Sequence, residues 1–568
     1  MKHVALKSLA AASVLAMGIA ACGSSGGGNA SGTSSAKAAT GKTLVVESTP
    51  LSPMTDTFNP FSQTSTGFVT NAVSLYNEPL YIFNTLNPTQ APNPFLASGQ
   101  PTWSNGGKTL TIPVRAGVKW NDGKPFTASD VAYTFNLLKA NPSLYSSGAP
   151  AVTSASASSA TSVTLNFAAP EYANLFLIGQ VYIVPQHIWS SVTNPATFAD
   201  PNPVGTGPFM LDKFSPQGYT LKQNPLYWQK SKVHVPEIDF PSYNTNANLV
   251  PPIASGQIDW AGNYVADIQG NFLSKSTDNH TWTSSVPYFS DNNVVSMFLN
   301  VTKAPLNDAA VRQAISFGVN RQQLSTQGET GYEPPATSSS GLMLPAQSSL
   351  LSSTLANDLP ATGDAAKVSS ILTHDGWAKV GGKWTKGGKK ITFSISDPIP
   401  YSDYYTDSQL IAHQLNALGF DVTAAGIGNP ATWAGDVANG TFDATIHWSN
   451  QGPNPYFFFD NWMDSSLTAP IGKPAGGDVG RYKNPAAQTA LNQFASSGDS
   501  ATQAQAITKL ETIMSTDVPV VPLLYGGAWS EYSTRNYTGW PSSSNPYMVP
   551  VPNIPYIEYT ILQLKPAS

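Results

Sequence analysis

The segment that most constrains the fold of this chain runs Val118-Lys119-Trp120-Asn121-Asp122-Gly123-Lys124-Pro125-Phe126-Thr127-Ala128-Ser129-Asp130-Val131. Its Asp122-Gly123 pair predicts a tight turn, because glycine adopts the positive φ angles that many turns require. Thr127 and Asp130 have the spacing of a capping box and predict a helix that begins after Thr127. Apolar residues then recur at helical spacing as far as Leu138, so the segment predicts a turn followed by an amphipathic helix.

Strand-like and helix-like runs alternate on both sides of this segment. Residues 44–46 predict a buried strand, and residues 110–114 predict a strand whose proline marks a sheet edge. Further along, a helix that ends at Gly419 precedes a strand-like run at 420–422. The sequence repeats this pattern with a helix at 431–439 and a strand at 442–446. The alternation predicts an α/β fold with parallel or mixed sheets. Stretches rich in Ser, Pro and Gly predict surface loops at 143–162, 333–363 and 468–480.

The composition narrows the classes of function. Of the 568 residues, 41% are hydrophobic and only 11% are charged, compared with about 25% charged in an average protein. The net charge of −5 and the lack of basic runs argue against a nucleic-acid partner. The chain has one cysteine, so its body has neither disulfides nor thiolate metal sites. No motif of a serine hydrolase, a zinc protease or a phosphate-binding loop is present, and we expect no catalytic residues, no metal and no cofactor.

The N-terminal residues have the pattern of a bacterial lipoprotein. A positively charged start is followed by the apolar run Leu9–Ile19, which is too short to span a bilayer, and by small residues before Cys22. We therefore expect a signal peptide at 1–21, a lipidated Cys22 and a flexible tether over 22–41, which is mostly Gly, Ser, Ala and Thr. This predicts a protein on the outer face of the cytoplasmic membrane, held there only by its lipid anchor.

Several sequence blocks occur in one order along the chain. They are Asn77-Glu78-Pro79-Leu80-Tyr81, the run from Lys108 to Phe135, Gly205-Thr206-Gly207-Pro208-Phe209, and Leu299-Asn300 followed by 304–316. Together they make the chain resemble the family 5 extracellular solute-binding proteins of ABC importers, whose members bind peptides, nickel chelates or oligosaccharides. The resemblance implies a receptor that acts without turnover, as a monomer, with the transmembrane subunits of an ABC permease as partners.

The resemblance also implies a domain organisation. The family fold is α/β, two-lobed and periplasmic-binding-protein-like (type II, large cluster C), with an extra domain on the first lobe and a ligand cleft between the lobes. Mapped onto this sequence, lobe I comprises 42–75, 204–298 and 525–568, the accessory domain comprises 76–203, and lobe II comprises 299–524. Closure of the lobes over a ligand is the implied mechanism.

The class of ligand depends on two regions. Peptide-binding relatives have an acidic residue three positions after a tryptophan, where it pairs with the peptide ammonium, but Gln451 stands at that position after Trp448. A neutral amide does not supply the charge-assisted hydrogen bond that a buried ammonium needs. The segments 256–263 and 535–547 resemble the oligosaccharide-binding branch of the family, known for β-linked gluco- and manno-oligosaccharides. Oligosaccharide is therefore the expected ligand, with oligopeptides as the alternative and a secreted glycoside-acting enzyme as a second alternative.

Aromatic and amide side chains are the candidate ligand contacts. The apolar face of a pyranose packs on aromatic rings, and its hydroxyls bond to amides. Core packing is the competing role for each aromatic residue. The predicted ligand-binding residues are Trp260, Asn263, Trp448, Asn450, Gln451, Trp529, Trp540 and Tyr547.

Overall fold

A computed structural model describes residues 41–49, 52–87, 90–144 and 150–567. The predicted signal peptide, Cys22 and the tether as far as residue 40 lie outside the described residues. No helix in these ranges is both long enough and apolar enough to cross a bilayer.

Strands and helices both occur along the described chain, and they alternate one by one, as predicted, over 402–447. The strands are β1 (Leu44–Glu47), β2 (Tyr81–Ile82), β3 (Asn93–Pro94), β4 (Thr102–Ser104), β5 (Thr109–Pro113), β6 (Val152–Ser159), β7 (Ser162–Phe167), β8 (Phe209–Ser215), β9 (Gly218–Gln223), β10 (Glu237–Pro241), β11 (Trp260–Ala261), β12 (Asn279–His280), β13 (Asp291–Leu299), β14 (Ala378–Val380), β15 (Lys383–Lys386), β16 (Lys389–Lys390), β17 (Thr392–Pro398), β18 (Asp421–Ile427), β19 (Ala444–His447), β20 (Val520–Gly527), β21 (Glu531–Ser533), β22 (Tyr537–Thr538) and β23 (Lys565–Pro566). The helices are α1 (Thr66–Val69), α2 (Val73–Tyr76), α3 (Ala128–Ala140), α4 (Leu175–Gly179), α5 (Gln186–Trp189), α6 (Asn246–Ala254), α7 (Ile268–Asn271), α8 (Ala309–Gly318), α9 (Arg321–Gln323), α10 (Ala365–His374), α11 (Ser402–Leu418), α12 (Pro430–Asn439), α13 (Tyr456–Met463), α14 (Pro485–Ala495), α15 (Ser500–Asp517) and α16 (Glu558–Ile561).

Lobe I is built on a mixed seven-stranded sheet in the order β12-β21-β11-β1-β10-β9-β8. Its central strand β1 runs parallel to both β10 and β11, as the apolar run at 44–46 predicts for a buried strand. The C-terminal segment returns to this lobe and buries Met548, Val549 and Ile557 in its core. The first lobe is therefore assembled from segments that are far apart in the sequence.

Lobe II is built on a five-stranded sheet in the order β18-β17-β19-β13-β20. Strand β17 runs parallel to β18 and β19, and β13 runs antiparallel to β19 and β20. The chain enters this sheet from lobe I through β13 and leaves it through β20, so these two strands form the crossing between the lobes. The predicted lobe boundaries at 298 and 525 fall near the end of β13 and within β20.

The accessory domain contains the predicted turn and helix of residues 118–138. The capping box is confirmed: Thr127 accepts the Ser129 amide, and the Thr127 amide donates to Asp130 at 2.9 Å. Helix α3 packs on a four-stranded sheet in the order β4-β5-β7-β6. Two predictions are wrong here. The strand predicted at a sheet edge, β5, pairs with both β4 and β7 and is an interior strand; its proline is compatible with this because it is the last residue of the strand. The Ser-rich stretch 143–162, predicted as a loop, contains strand β6.

The predicted helix end at Gly419 is confirmed. Gly419 has a φ of 100°, and the Phe420 amide bonds to the carbonyl of Leu415, which closes helix α11. A Cβ atom at this position would lie 2.8 Å from the carbonyl oxygen of Gly382. Glycine is therefore required both by the backbone conformation and by the close approach of the neighbouring loop.

Candidate functional site

A cavity of about 970 Å³ lies between the accessory domain and lobe I on one side and lobe II on the other. The accessory domain contributes 169–182 and lobe I contributes 553–556, whereas lobe II contributes the loop after β19 and helix α13. The two sides touch where Phe176 meets Phe457, with ring centroids 5.0 Å apart. A ligand in this cavity would contact both sides, and the cavity is therefore the candidate binding site.

Trp448 is the most exposed aromatic residue of the cavity wall, with 39% of its surface accessible. It follows β19 directly, and the next residue fixes the strand end, because the Ser449 hydroxyl accepts the Val294 amide at 3.0 Å. The imidazole of His447 lies behind the indole, 4.1 Å away between centroids, and itself stacks on Trp433 at 5.3 Å. This packing holds the indole in place, and the accessible part of Trp448 offers an apolar aromatic surface at the cavity wall.

The same packing determines the charge state of His447. Enclosure by the neighbouring rings lowers the pKa of His447 to about 4, because burial disfavours the imidazolium. Its Nδ1 lies 2.7 Å from the carbonyl oxygen of Trp448. A neutral imidazole that supports an indole is a structural group, and His447 does not line the cavity among the described residues.

Neutral polar side chains surround the open face of Trp448. Asn450 and Gln451 continue the loop after Trp448 and line the cavity, as predicted from the sequence. Asn174 and Gln180 line the opposite wall, on the accessory domain. Such amides can both donate and accept hydrogen bonds, as the hydroxyl groups of a neutral ligand require.

Acidic residues are the only residues with ionisable carboxyl or basic groups among the described lining residues. Asp460 and Asp464 lie on or next to helix α13, and Glu171 faces them from the accessory domain. Burial and the nearby Asp464 raise the pKa of Asp460 to about 8, and burial raises the pKa of Glu171 as well. Asn174 donates a hydrogen bond to Glu171 at 2.7 Å. The cavity is thus suited to neutral or cationic ligands and disfavours anions.

Two of the predicted ligand contacts are core residues. Trp260 is fully buried and Trp540 is 5% exposed, so the prediction that they face the cleft is wrong. The two indoles pack edge to face at 5.4 Å, and each Nε1–H is satisfied by a backbone carbonyl, that of Pro550 for Trp260 and that of Tyr537 for Trp540. Both rings belong to the core of lobe I, where a large apolar surface is more stable than in a wet cleft.

Three further predicted residues also lie outside the cavity lining. Asn263 is buried and its side-chain amide donates to Glu47. Trp529 packs edge to face on Phe289 at 4.9 Å, near the boundary between the lobes. The Tyr547 hydroxyl donates to the carbonyl of Gly539 at 2.8 Å. Of the predicted set, the structure brings together only Trp448, Asn450 and Gln451.

Sequence reasoning missed the contribution of helix α13 and of the accessory domain. The apolar run that begins at Tyr456 predicts packing, and Tyr456 does stack on Phe494 at 4.9 Å, but it also lines the cavity. Tyr456, Asp460 and Asp464 recur every four residues, which places them along one face of a helix. That spacing was the available signal. Nothing local marks Phe176 as a cavity residue.

Comparison with known proteins identifies the family. The model of the bacterial extracellular solute-binding proteins, family 5 Middle, matches residues 91–469. The chain belongs to this family. The oligopeptide-binding protein OppA of Bacillus subtilis is similar to this family 5 protein, with 27% identity over 256 residues. That match covers 41% of this chain and 46% of OppA, so it spans about half of the relative.

Solved structures share the fold of this family 5 protein. The mannohexaose-bound periplasmic oligopeptide-binding protein of Thermotoga maritima superposes with a TM-score of 0.81 at 24% identity, covering 93% of this chain and 99% of that one. The oligopeptide-binding protein AppA of Bacillus subtilis, in complex with a nonapeptide, superposes with a TM-score of 0.74 at 19% identity and covers 94% and 100%. At this level of identity the two superpositions establish the two-lobed fold.

Proposed function

We propose that this protein is the solute receptor of an ABC importer and that it captures an oligosaccharide, of the β-linked gluco- or manno-type, between its lobes. The observation that carries the proposal is the open indole face of Trp448, held by His447 and bordered by the amides of Asn450 and Gln451. An aromatic face beside neutral amides is suited to the alternating apolar and hydroxyl surfaces of a pyranose. The mannohexaose complex of the Thermotoga maritima protein supports this class of ligand.

Cleft closure provides the mechanism of capture. The lobes are joined by β13 and β20, and the cavity has groups from both sides, such as Phe176 on the accessory domain and Trp448 on lobe II. A ligand that contacts both walls is bound more tightly by the closed form and shifts the population towards it. The permease subunits would then recognise the closed form. No turnover is proposed, and we expect an oligosaccharide to be recovered unchanged after incubation with the protein.

Oligopeptide is the second candidate ligand, and a specific observation favours it. Glu171, Asp460 and Asp464 line the cavity, and a peptide ammonium beside them would favour the ionised form of their carboxyl groups. The named relatives OppA and AppA are oligopeptide-binding proteins. The peptide would then be anchored by helix α13, because position 451 holds a neutral glutamine.

A ligand panel separates the two candidates. Isothermal titration calorimetry and thermal-shift assays would use mannohexaose, cellohexaose and their disaccharides in one arm, and di- to nonapeptides in the other. We expect stoichiometric binding and an increased melting temperature with at least one β-linked sugar. Stabilisation by peptides together with silence across the sugars would replace oligosaccharide by peptide as the ligand. Release of shorter sugars during the incubation would instead indicate an enzyme.

We further propose that the protein is tethered through a lipidated Cys22 and works as a monomer beside its permease. Tethering raises the concentration of the receptor near the permease. When the protein is expressed in a bacterial host that is fed a radiolabelled fatty acid, the unsubstituted protein should become labelled and the Cys22→Ser variant should not. Equal labelling of the two chains, or none, would contradict the anchor. Size-exclusion chromatography with light scattering tests the monomer.

A further inference from the structure

Four carboxyl groups are buried together beside the crossing between the lobes. Glu329 and Glu333 lie on the segment that follows helix α9 and returns to β20, and Asp403 and Asp407 lie in the first turns of helix α11. Glu329 and Asp407 are completely inaccessible, Glu333 is 1% exposed and Asp403 is 7% exposed. The ligand cavity does not use any of them among its described lining residues.

The four carboxyl groups have few hydrogen-bond donors. Six of their oxygens accept no hydrogen bond from a group outside the cluster in the described structure. These are both oxygens of Glu329 and of Asp407, Oε2 of Glu333 and Oδ1 of Asp403. The Gly527 amide donates to Oε1 of Glu333 at 2.8 Å. Within the described residues, no salt bridge reaches this cluster. Buried carboxylates without counter-charges are strongly unfavourable, so protons must neutralise most of them.

The surroundings of the cluster reinforce this requirement. Glu329 and Asp407 face each other closely enough to share a proton. Burial and mutual repulsion hold the pKa values of Glu329, Glu333 and Asp407 well above the usual range, and burial raises that of Asp403 to about 6. The other titratable groups that face the cluster are acids as well: Asp291 on β13, Asp397 on β17, Tyr401 and Tyr404 at the start of α11, and Tyr264 before α7. None of them supplies a positive charge.

The cluster lies where the two lobes meet. Tyr264 of lobe I donates to the carbonyl of Gly328 at 3.3 Å, and the Tyr332 hydroxyl accepts the Ile268 amide at 2.7 Å. Tyr332 itself packs in a core cluster of lobe I. On the other side, Tyr404 contacts Trp448, with centroids 6.4 Å apart, and so connects the cluster to the ligand cavity. Separation of the lobes at this point would admit water to the carboxyl groups.

We propose that the Glu329–Glu333–Asp403–Asp407 cluster is a proton-operated latch at the hinge: the closed form takes up protons, and the open form, in which water reaches the cluster, releases them. The closed form is then favoured below the ordinary carboxyl pKa of about 4 and loses this advantage progressively as the pH rises through the higher values of the closed form. For each proton taken up on closure, the closed-to-open ratio changes about tenfold per pH unit.

The test measures lobe closure directly and needs no ligand. Residues 40–568 form a compact unit, so a chain from residue 23 onwards keeps that unit intact and has no native cysteine. Cysteines introduced as Lys230→Cys in lobe I and Lys390→Cys in lobe II, both exposed, would carry spin labels. Pulsed electron–electron double resonance then gives the distribution of distances between the two spin labels, one on each lobe, at pH 5, 6, 7 and 8.

We expect the short-distance population of the labelled protein to decrease relative to the long one by at least tenfold between pH 5 and pH 8. The Glu329→Gln variant should show a smaller change between pH 5 and pH 8 than the unsubstituted protein, because it lacks one of the four titrating groups, and Asp407→Asn is a second variant with the same expectation. Asp56→Asn, at an exposed acid remote from the hinge, is the matched control and should leave the pH response unchanged.

Distance distributions that do not change with pH would overturn the latch, as would a pH response of undiminished size in both variants. The unsubstituted protein alone decides the first outcome, so a variant that fails to fold does not block the test. The inference rests on the lobe closure of the proposed function but not on its ligand. If no sugar binds, the latch proposal is unaffected. If the distances do not respond to pH, the proposed receptor function is unaffected.

Discussion

Removal of the Trp448 indole should weaken sugar binding while leaving the fold intact. With 39% of its surface open, Trp448 presents about 100 Å² of an aromatic side chain that offers up to about 250 Å² in total. At ~25 cal/mol per Å², complete coverage by a sugar face contributes about 2.5 kcal/mol, and coverage of half of it about 1.2 kcal/mol. Trp448→Ala should therefore raise Kd by about 8- to 70-fold.

The assay is calorimetric titration with the tightest-binding sugar of the panel, followed by thermal unfolding of the ligand-free variant. The ligand-free variant should still unfold cooperatively but at a lower melting temperature, because the covered part of the indole packs on His447, Trp433 and Tyr404. Trp282→Ala provides the matched control: Trp282 is also a partly exposed tryptophan, but it lies outside the lining of the cavity. We expect its Kd to equal that of the unsubstituted protein.

An unchanged Kd for Trp448→Ala, measured with a sugar that binds the unsubstituted protein, would refute the reasoning, because it would show that the indole face does not meet the ligand. A melting temperature equal to that of the unsubstituted protein would refute a different step, the claim that the covered part of the indole packs on His447 and Trp433. Absence of binding by every sugar would concern the ligand class rather than Trp448.

Three further predictions concern stability. Trp540→Ala should lower the free energy of unfolding by about 3–5 kcal/mol in guanidinium titrations, because it leaves a cavity in the core of lobe I; a loss below about 1 kcal/mol would contradict that placement. Thr127→Ala should cost about 1 kcal/mol through loss of the helix cap, whereas the exposed Ser129→Ala in the same turn should be nearly neutral. Asp460, whose pKa burial raises to about 8, binds its proton more tightly in the folded state, so the free energy of unfolding should fall as the pH rises from about 4 to 8. The Asp460→Asn variant should lose that part of the pH dependence, and an identical slope in both proteins would show that Asp460 is not buried as described.

Local signals predicted the local structure well. The capping box at Thr127 and Asp130 and the helix end at Gly419 are confirmed, because each depends on hydrogen bonds and backbone angles within a few residues. The prediction that β5 lies at a sheet edge is wrong because it concerns a property that is not local. A proline at the last residue of a strand is compatible with an interior strand, and the position of a strand in a sheet depends on pairing with distant segments.

The candidate site shows the same division. Trp448, Asn450 and Gln451 line the cavity because they follow a buried strand directly, where a loop meets the cleft. Trp260 and Trp540 also adjoin strands, but the returning C-terminal segment covers them. A tryptophan beside a strand has the same sequence signature in either situation. Trp260 is a core residue because a segment nearly 300 positions away packs over it, and this packing cannot be predicted from the residues next to Trp260.

The sequence by itself determined the family, the α/β class of the elements and the helix ends, because motif order, periodicity and caps are properties of neighbouring residues. Tertiary structure decided which aromatic rings are open, which carboxylates line the cleft, and that four acids meet at the hinge. Solvent access and charge proximity are the quantities that set these roles. Both arise from contacts between distant segments, such as Glu329 with Asp407 or Phe176 with Phe457, and neither can be read from the order of residues alone.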